Sequence, residues 1–176
     1  ERKFFEHLSE TLPEGINLGF NGRFKRMMSY KKKNYALLLY NNKGQVLLQR
    51  RKHKVFDNIW DFTASTHPLH RDDGTDESLE EASLRALKEE YGIKKVKLEN
   101  VGSFNYFAKI DGLCENEHDN LLIGEYDGEV SLNPEVGYEY KWMNKKELTE
   151  DIEKNPQKYT PWVTEGVKIL KKMSLG

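Results

Sequence analysis

Residues 77–93, with the sequence ESLEEASLRALKEEYGI, decide how the rest of the chain is interpreted. The pattern predicts a helix in which Arg85 and Glu89 are four residues apart and therefore share one face. Glu89 and Glu90 then lie near the helix C-terminus, where the macrodipole disfavours anions and a bound cation would relieve the cost. Magnesium prefers such hard oxygen ligands, together with waters and substrate phosphates. The stretch therefore indicates magnesium-dependent chemistry on a diphosphate.

Composition sets limits on the class of protein. The chain has 176 residues, which suggests one domain with a small N-terminal extension over residues 1–30. A net charge of −1 gives no field that would favour a nucleic acid polymer or an anionic membrane as partner. No apolar run approaches the length of a bilayer span. Cys114 is the single cysteine, so no internal disulfide forms, and we predict a cytoplasmic protein.

Apolar runs, turn residues and helix caps predict an α+β domain. Extended segments are expected at 35–40, 45–50, 60–66, 96–107, 117–126 and 138–143, and helices at 77–91, 144–154 and 160–173. Gly92 is expected to end the first of these helices in the left-handed conformation. Asn144, with Glu147 three residues on, is expected to cap the second, and Pro161 to open the third. Strands on both sides of a central helix predict an α/β/α sandwich with a mixed β-sheet.

The helix resembles the Nudix box, G-x5-E-x7-R-E-U-x-E-E-x-G-U. Six positions agree in register, namely Glu77, Arg85, Glu89, Glu90, Gly92 and Ile93. Two positions depart from the pattern, because Arg71 stands at the first glycine and Ala86 at the glutamate after the arginine. The resemblance implies a Nudix domain over residues 31–176.

Further segments resemble one branch of that family, the type 1 isopentenyl-diphosphate isomerases. The similar stretches are 41–51 (NNKGQVLLQRR), Trp60 with His67-Pro68, 104–106 (FNY), 115–117 (ENE) and 159–162 (YTPW). The likeness covers roughly residues 32 to 165, so it is a whole-domain resemblance.

The resemblance also indicates which parts of an isomerase site are changed. Ser65 stands at the family's catalytic cysteine, and serine is a much weaker acid than a thiol. The family binds a divalent metal through three histidines and two glutamates, of which His67, Glu115 and Glu117 are matched. The other two histidines fall near Lys25 and Lys32, and these cations would repel a metal.

The candidate site residues follow from both lines of reasoning. Glu90 and Glu117 are the predicted catalytic residues. The predicted metal ligands are Glu89, Glu90, Glu117, Glu115 and His67, and the predicted substrate-binding residues are Arg51, Lys54, Tyr106 and Trp162. Glu115 and Glu117 are two apart on a strand, so both carboxylates should point to one face. For each candidate a structural role is the alternative: a solvated helix face for Glu89, an exposed edge for Glu115, or a core position for the aromatic residues.

Three functions remain open at this level. The first is a Nudix hydrolase that uses Mg²⁺, or alternatively Mn²⁺, to cleave a diphosphate linkage in a nucleotide-like or other small organic diphosphate. The second is an isopentenyl-diphosphate isomerase, which the replacement by Ser65 and the missing histidines oppose. The third is a non-catalytic diphosphate binder of the same fold, suggested by Ala86 and Lys32. We rank the hydrolase first.

Overall fold

The computed structural model describes residues 33–110 and 113–173. The predicted N-terminal extension, 1–30, and the lysines at 25 and 32 lie outside these ranges. Within the described part of the chain, no helix combines the length and the apolar character that crossing a membrane requires.

The described chain contains seven strands, three α-helices and one short 3₁₀ helix. The strands are β1 (Lys33–Tyr40), β2 (Gln45–Arg51), β3 (Trp60–Asp61), β4 (Ala64–Thr66), β5 (Glu99–Ile110), β6 (Leu113–Glu125) and β7 (Gly137–Asn144). The helices are α1 (Leu79–Tyr91), α2 (Lys145–Lys154) and α3 (Pro161–Met173), with the 3₁₀ turn at Pro156–Lys158. The predicted helices are confirmed. β5 lies later in the sequence than predicted, and β6 lies earlier. The shift arises because β5 and β6 form one long antiparallel hairpin, which extends both strands toward their connection.

The strands form one mixed sheet. Its main path runs β3-β2-β1-β6-β5, with β4 paired to β1 and β7 paired to β2. β1 and β6 are parallel, and the other pairs are antiparallel. The predicted mixed sheet is therefore confirmed.

Both faces of the sheet are covered, because side chains alternate along each strand. In β1, Leu37 and Leu39 point to the face on which α1 packs. Leu38 points to the opposite face, which α2 and α3 cover. This two-sided burial explains why β1 is a continuous apolar run rather than an alternating one.

The predicted extended segment 60–66 is two strands rather than one. Thr63 lies at the break, and its Oγ1 donates to the carbonyl of Leu47 at 2.7 Å and accepts the N–H of Leu39 at 2.9 Å. The hydroxyl thus satisfies backbone groups at the point where β1 and β2 separate. β3 continues the sheet beside β2, and β4 turns to pair with β1.

α1 has well-formed ends. Ser78 is the N-cap and forms a reciprocal capping box with Glu81. Gly92 ends the helix with a φ of 70°, and its N–H donates to Lys88 at 2.9 Å, as predicted. The predicted capping box of α2 is wrong, because Asn144 occupies the N-cap position without a side-chain cap hydrogen bond.

Candidate functional site

Glu90 lies at the last turn of α1 and faces the sheet. Its Oε2 accepts a hydrogen bond from Nε2 of Gln49 on β2 at 2.8 Å, and its carbonyl accepts the N–H of Asn133 at 2.7 Å. Burial, reinforced by the nearby charge of Asp61, raises the pKa of Glu90 to about 8, against a smaller opposing effect of Arg51. The carboxyl group is thus held where its charge lacks a matched cation.

Glu89 is oriented differently from its neighbour. Its side chain is 63% exposed and lies 3.6 Å from Arg85 Nη1. Successive positions on a helix point about 100° apart, so the pair cannot both face the sheet. Glu89 therefore lies at the solvent edge of the site, and its metal-binding role stays a prediction.

Arg85 and Glu77 hold the segment between β4 and α1 in place. Arg85 Nε donates to Glu77 Oε1 at 2.9 Å, and its Nη2 donates to Glu77 Oε2 at 2.9 Å and to the carbonyl of His67 at 3.0 Å. Glu77 also accepts the N–H of Leu69 at 3.0 Å, and the hydrogen bond from Arg85 lowers the pKa of Glu77. Arg85 and Glu77 thus hold the segment after β4 against α1 and do not contact the carboxylate of Glu90.

Asp61, on β3, is a central residue of the site that the sequence analysis did not single out. Its Oδ2 lies 3.1 Å from Arg51 Nη1, and its Oδ1 accepts hydrogen bonds from Trp162 Nε1 at 2.5 Å and Thr160 Oγ1 at 3.3 Å. Burial raises the pKa of Asp61, and Arg51 opposes that effect. The sequence did contain a signal for Asp61, since it is an acidic residue between Trp60 and an apolar residue in a predicted extended segment. A carboxylate buried in such a segment needs polar partners.

Arg51 is held in a fixed orientation. Its Nε donates to the carbonyl of Val55 at 3.2 Å, and its guanidinium carbon lies 5.3 Å from the centre of the Trp162 ring. An arginine held by a carboxylate and an aromatic ring suits recognition of phosphate oxygens. Lys54, the other predicted phosphate-binding residue, is exposed on the segment that follows β2.

A second group of polar residues surrounds Glu117 on β6. The hydroxyl of Tyr106 donates to Glu117 Oε2 at 2.7 Å and lies 3.1 Å from Glu115 Oε2, which confirms that both carboxylates share a face. The side-chain amide of Asn34 also donates to Glu117 Oε2. Asp119, next on the same face, is buried, and burial together with the charge of Glu117 raises its pKa to about 7. Asn34 and Asp119 were missed because isolated polar residues in a strand carry no motif.

His67 and Ser65 flank the end of β4. His67 is exposed, and its carbonyl is the acceptor for Arg85. The Oγ of Ser65 is buried and has no hydrogen-bond partner among the residues that the structure describes. No base in this part of the chain therefore activates that hydroxyl.

The donor set fits magnesium at one end of the site only. Over 33–110 and 113–173, no group of three or more His, Cys, Asp or Glu side chains lies close enough to hold a metal ion. Magnesium is usually held by one or two carboxylates with substrate phosphates and waters, so Glu90 beside Arg51 fits that ion. An all-protein metal site at His67, Glu115 and Glu117 does not fit, because the described residues do not bring these three side chains together as one group.

The fold and the helix that presents Glu90 define a diphosphate-acting class of domain. The NUDIX domain model matches residues 31–163, and the chain belongs to that family. Among curated proteins, it is similar to isopentenyl-diphosphate Delta-isomerase 2 of Photorhabdus laumondii, at 34% identity over 131 residues, 73% of this chain and 71% of the relative. It is also similar to isopentenyl-diphosphate Delta-isomerase 2 of Aromatoleum aromaticum, at 31% identity over 131 residues. The match covers 73% of this chain and 66% of that relative.

Solved structures confirm the fold. The NUDIX domain of Shewanella oneidensis NrtR, in complex with ADP ribose, aligns with a TM-score of 0.57 at 15% identity and covers 96% of this chain and 97% of that one. An Ap4A hydrolase from C. elegans aligns with a TM-score of 0.53 at 21% identity, covering 82% and 96%. At these identities the likeness establishes the α/β/α Nudix fold alone.

Proposed function

We propose that the protein is a Mg²⁺-dependent Nudix hydrolase that cleaves a diphosphate linkage in a nucleotide-like or other organic diphosphate. The observation that carries the proposal is that α1 directs Glu90 into a buried setting near Arg51, which Asp61 and Trp162 hold in place. One residue offers a carboxylate without a matched cation, and the other offers a fixed guanidinium. The magnesium ion of a bound diphosphate would supply the cation that Glu90 lacks, while Arg51, held by Asp61, would bind the phosphate oxygens.

Each residue then has a defined part. Arg51, oriented by Asp61, binds the phosphate oxygens and holds the diphosphate in place. When bound, magnesium would neutralise the diphosphate and lower the pKa of a water. Glu90 has a pKa of about 8 in the ion-free protein and can exchange a proton with water near neutral pH. Glu117, held by Tyr106, is the second candidate base.

The isomerase is the second candidate, and the curated relatives favour it. Their names assign isopentenyl-diphosphate isomerisation to proteins 31–34% identical to this chain. Tyr106 and Glu117 also lie together, as proton transfer to and from an alkene would require. Ser65 opposes this function, because an unactivated serine is a poor proton donor compared with a thiol.

The test is a substrate panel assayed with magnesium. The panel contains nucleoside diphosphates, nucleotide sugars, dinucleoside polyphosphates and isopentenyl diphosphate, with phosphate release and allylic product measured in parallel. We expect magnesium-dependent hydrolysis of at least one nucleotide-like diphosphate. Allylic product formed at turnover rates would overturn the ranking in favour of the isomerase. Tight ligand binding without any turnover would favour a non-catalytic diphosphate binder.

A pair of variants tests the assignment of the site. Glu90→Gln should lower kcat/KM by about 100-fold or more, because it removes the carboxylate that would hold the magnesium ion of the reacting diphosphate. Glu80→Gln, on the exposed side of the same helix, is the matched control and should leave activity unchanged. Full activity of Glu90→Gln would remove Glu90 from the site.

A further inference from the structure

β7 lies at an edge of the sheet. Among the described strands it pairs only with β2, in an antiparallel register that places Glu139 opposite Arg50. An edge strand presents a row of backbone N–H and C=O groups with which another strand can pair. The outer edge of β7 is therefore a candidate interaction surface.

The hydrogen bonds of β2 show which backbone groups of β7 face outward. The carbonyl of Leu47 accepts the hydroxyl of Thr63 on the side of β1, so the odd-numbered positions of β2 direct their backbone groups away from β7. The even-numbered positions of β2 bond to β7, and their partners there are odd-numbered. The outward N–H and C=O groups of β7 therefore belong to the even-numbered positions, and the described residues offer them no hydrogen-bond partner. These outer-edge residues are Tyr138, Tyr140 and Trp142.

The sequence of β7 makes this edge complementary to itself. Residues 138–142 have the sequence YEYKW. When two copies pair antiparallel about Tyr140, Tyr138 of each copy lies opposite Trp142 of the other. Glu139 of each copy then lies opposite Lys141 of the other. Cross-strand pairs of aromatic rings and of opposite charges both stabilise a sheet.

Charge also selects this register over its neighbours. The outward backbone groups of two copies can meet when the pairing is centred on Glu139, Tyr140 or Lys141. A centre at Glu139 places the two glutamates opposite each other, and a centre at Lys141 does the same with the two lysines. Like charges directly opposite are destabilising. Only the centre at Tyr140 gives two pairs of opposite charge.

The aromatic rings of the edge are exposed and already oriented. Tyr138 is 48% exposed and Tyr140 is 40% exposed. The hydroxyl of Tyr138 donates to Asp57 at 3.2 Å, and that of Tyr140 donates to the carbonyl of Val130 at 3.3 Å. Rings that are held in this way lose little conformational entropy when a partner covers them.

The two charged side chains of the edge can each take another partner. Glu139 lies 3.1 Å from Arg50 and is still 50% exposed. The ammonium of Lys141 lies 3.9 Å from the centre of the Trp60 ring, and within the described part of the chain it forms no ion pair. A carboxylate from a second copy would supply the anion that the indole ring does not provide.

We propose that two copies of this chain pair through β7, centred on Tyr140, to form a two-fold symmetric dimer. A two-fold contact uses the same surface on both copies, and the YEYKW segment meets that requirement. One strand from each copy gives a small contact, so we expect a dissociation constant on the order of 10–100 μM. The inference concerns assembly and holds whichever reaction the protein catalyses.

The test is analytical ultracentrifugation of the full chain from about 1 μM to about 500 μM. Glu139→Lys and Lys141→Glu should each raise the dissociation constant at least about tenfold, because both charge pairs become like-charged. An equimolar mixture of the two variants should recover the wild-type constant, because every pair between unlike copies is again of opposite charge. Glu99→Lys, an equal charge reversal at the exposed start of β5, is the control and should leave the constant unchanged.

Tyr140→Pro tests the backbone contact separately from charge. Proline removes an N–H that faces outward and leaves the hydrogen bonds to β2 in place, as edge strands tolerate. This variant should also weaken the dimer at least about tenfold. Circular dichroism melts establish that each variant is folded.

Three outcomes would overturn the inference. The first is a wild type that stays monomeric up to about 500 μM. The second is dimerisation of the single charge variants as tight as that of wild type. The third is a mixture of the two charge variants that remains monomeric.

Discussion

Glu90 occupies surroundings that destabilise its own charged form. Gln49 gives it one neutral hydrogen bond, whereas Asp61 adds a second negative charge nearby. Such an arrangement is stable only because the rest of the domain holds it in place. A cation shared with a substrate would reverse the balance, since it would attract both carboxylates.

A stability measurement can detect this strain. The pKa of Glu90 is raised from 4.5 to about 8 on folding, so the folded protein binds the proton more tightly. The free energy of unfolding should therefore fall as pH rises from about 4.5 to about 8. Glu90→Gln removes this dependence and should be more stable than wild type at pH 8 by at least about 1 kcal/mol.

The measurement is urea unfolding in EDTA at pH 5 and pH 8, with Glu80→Gln as control. Both wild type and the control should lose stability between the two pH values relative to Glu90→Gln. Parallel pH profiles for all three proteins would show that Glu90 is not destabilised by its charge.

At the scale of elements, β1 and β2 stop pairing at the position where the side-chain hydroxyl of Thr63 lies between them. Thr63 holds the N–H of Leu39 and the carbonyl of Leu47, and it lies between β3 and β4. β3 contains Asp61, and β4 contains Ser65. The segment after β4 includes His67, whose carbonyl accepts a hydrogen bond from Arg85. The hydroxyl of Thr63 thus helps to fix the positions of β3 and β4, the two strands that carry these site residues.

Thr63→Val should lower the free energy of unfolding by about 2–3 kcal/mol, because two buried backbone groups lose their partner while the shape is kept. Thermal and urea unfolding provide the measurement. Thr149→Val, at a half-exposed position on α2, is the matched substitution and should change stability by less than about 0.5 kcal/mol. Equal effects of the two substitutions would contradict the role assigned to Thr63.

α3 approaches the sheet closely at Gly166. A Cβ added there would lie 2.7 Å and 2.8 Å from two ring atoms of Phe62. The absence of a side chain at Gly166 therefore lets α3 lie close to Phe62, and Trp162 at the start of α3 donates to Asp61. The small residue is therefore needed for packing rather than for backbone freedom.

Gly166→Ala should destabilise the protein by about 1–2 kcal/mol, since overpacking outweighs the better helix propensity of alanine. Lys168→Ala, on the exposed face of the same helix, should have little effect and serves as the control. The readout is the midpoint of urea unfolding. An increase in stability for Gly166→Ala would show that the helix can move away from the sheet.

At the scale of the whole molecule, the site gathers residues from β2, β3, α1 and α3. Arg51, Asp61, Glu90 and Trp162 are brought together by the packing of α1 and α3 on opposite faces of one sheet. None of these residues alone offers a complete ion site. Magnesium and a diphosphate should therefore bind together rather than separately.

A thermal shift experiment tests this joint binding. Magnesium alone and a non-hydrolysable diphosphate alone should each raise Tm by less than about 1 °C, whereas the two together should raise it by several degrees. The same titration on Glu90→Gln should lose the joint effect. A full shift with magnesium alone would instead indicate an ion site built from protein ligands only.

Much of the fold follows from local patterns in the sequence. The apolar run of β1, the stop at Gly92 and Pro161 at the start of α3 each depend on neighbouring residues, and the structure has each as predicted. Asn144 is the N-cap as predicted but lacks the expected side-chain hydrogen bond, and the single strand over 60–66 was wrong. At 60–66 the pairing of β3 with β2 and of β4 with β1 decided the backbone path.

The sequence by itself therefore determined the Nudix fold, the helix ends and the presence of acids at the end of α1. Only the tertiary structure decided that Glu90 turns inward while Glu89 faces solvent. It also decided that Asp61 meets Trp162, 101 residues further along the chain. The physical reason is that helices and turns depend on contacts within a few residues. The ionisation and orientation of a site residue depend on burial and on partners distant in sequence.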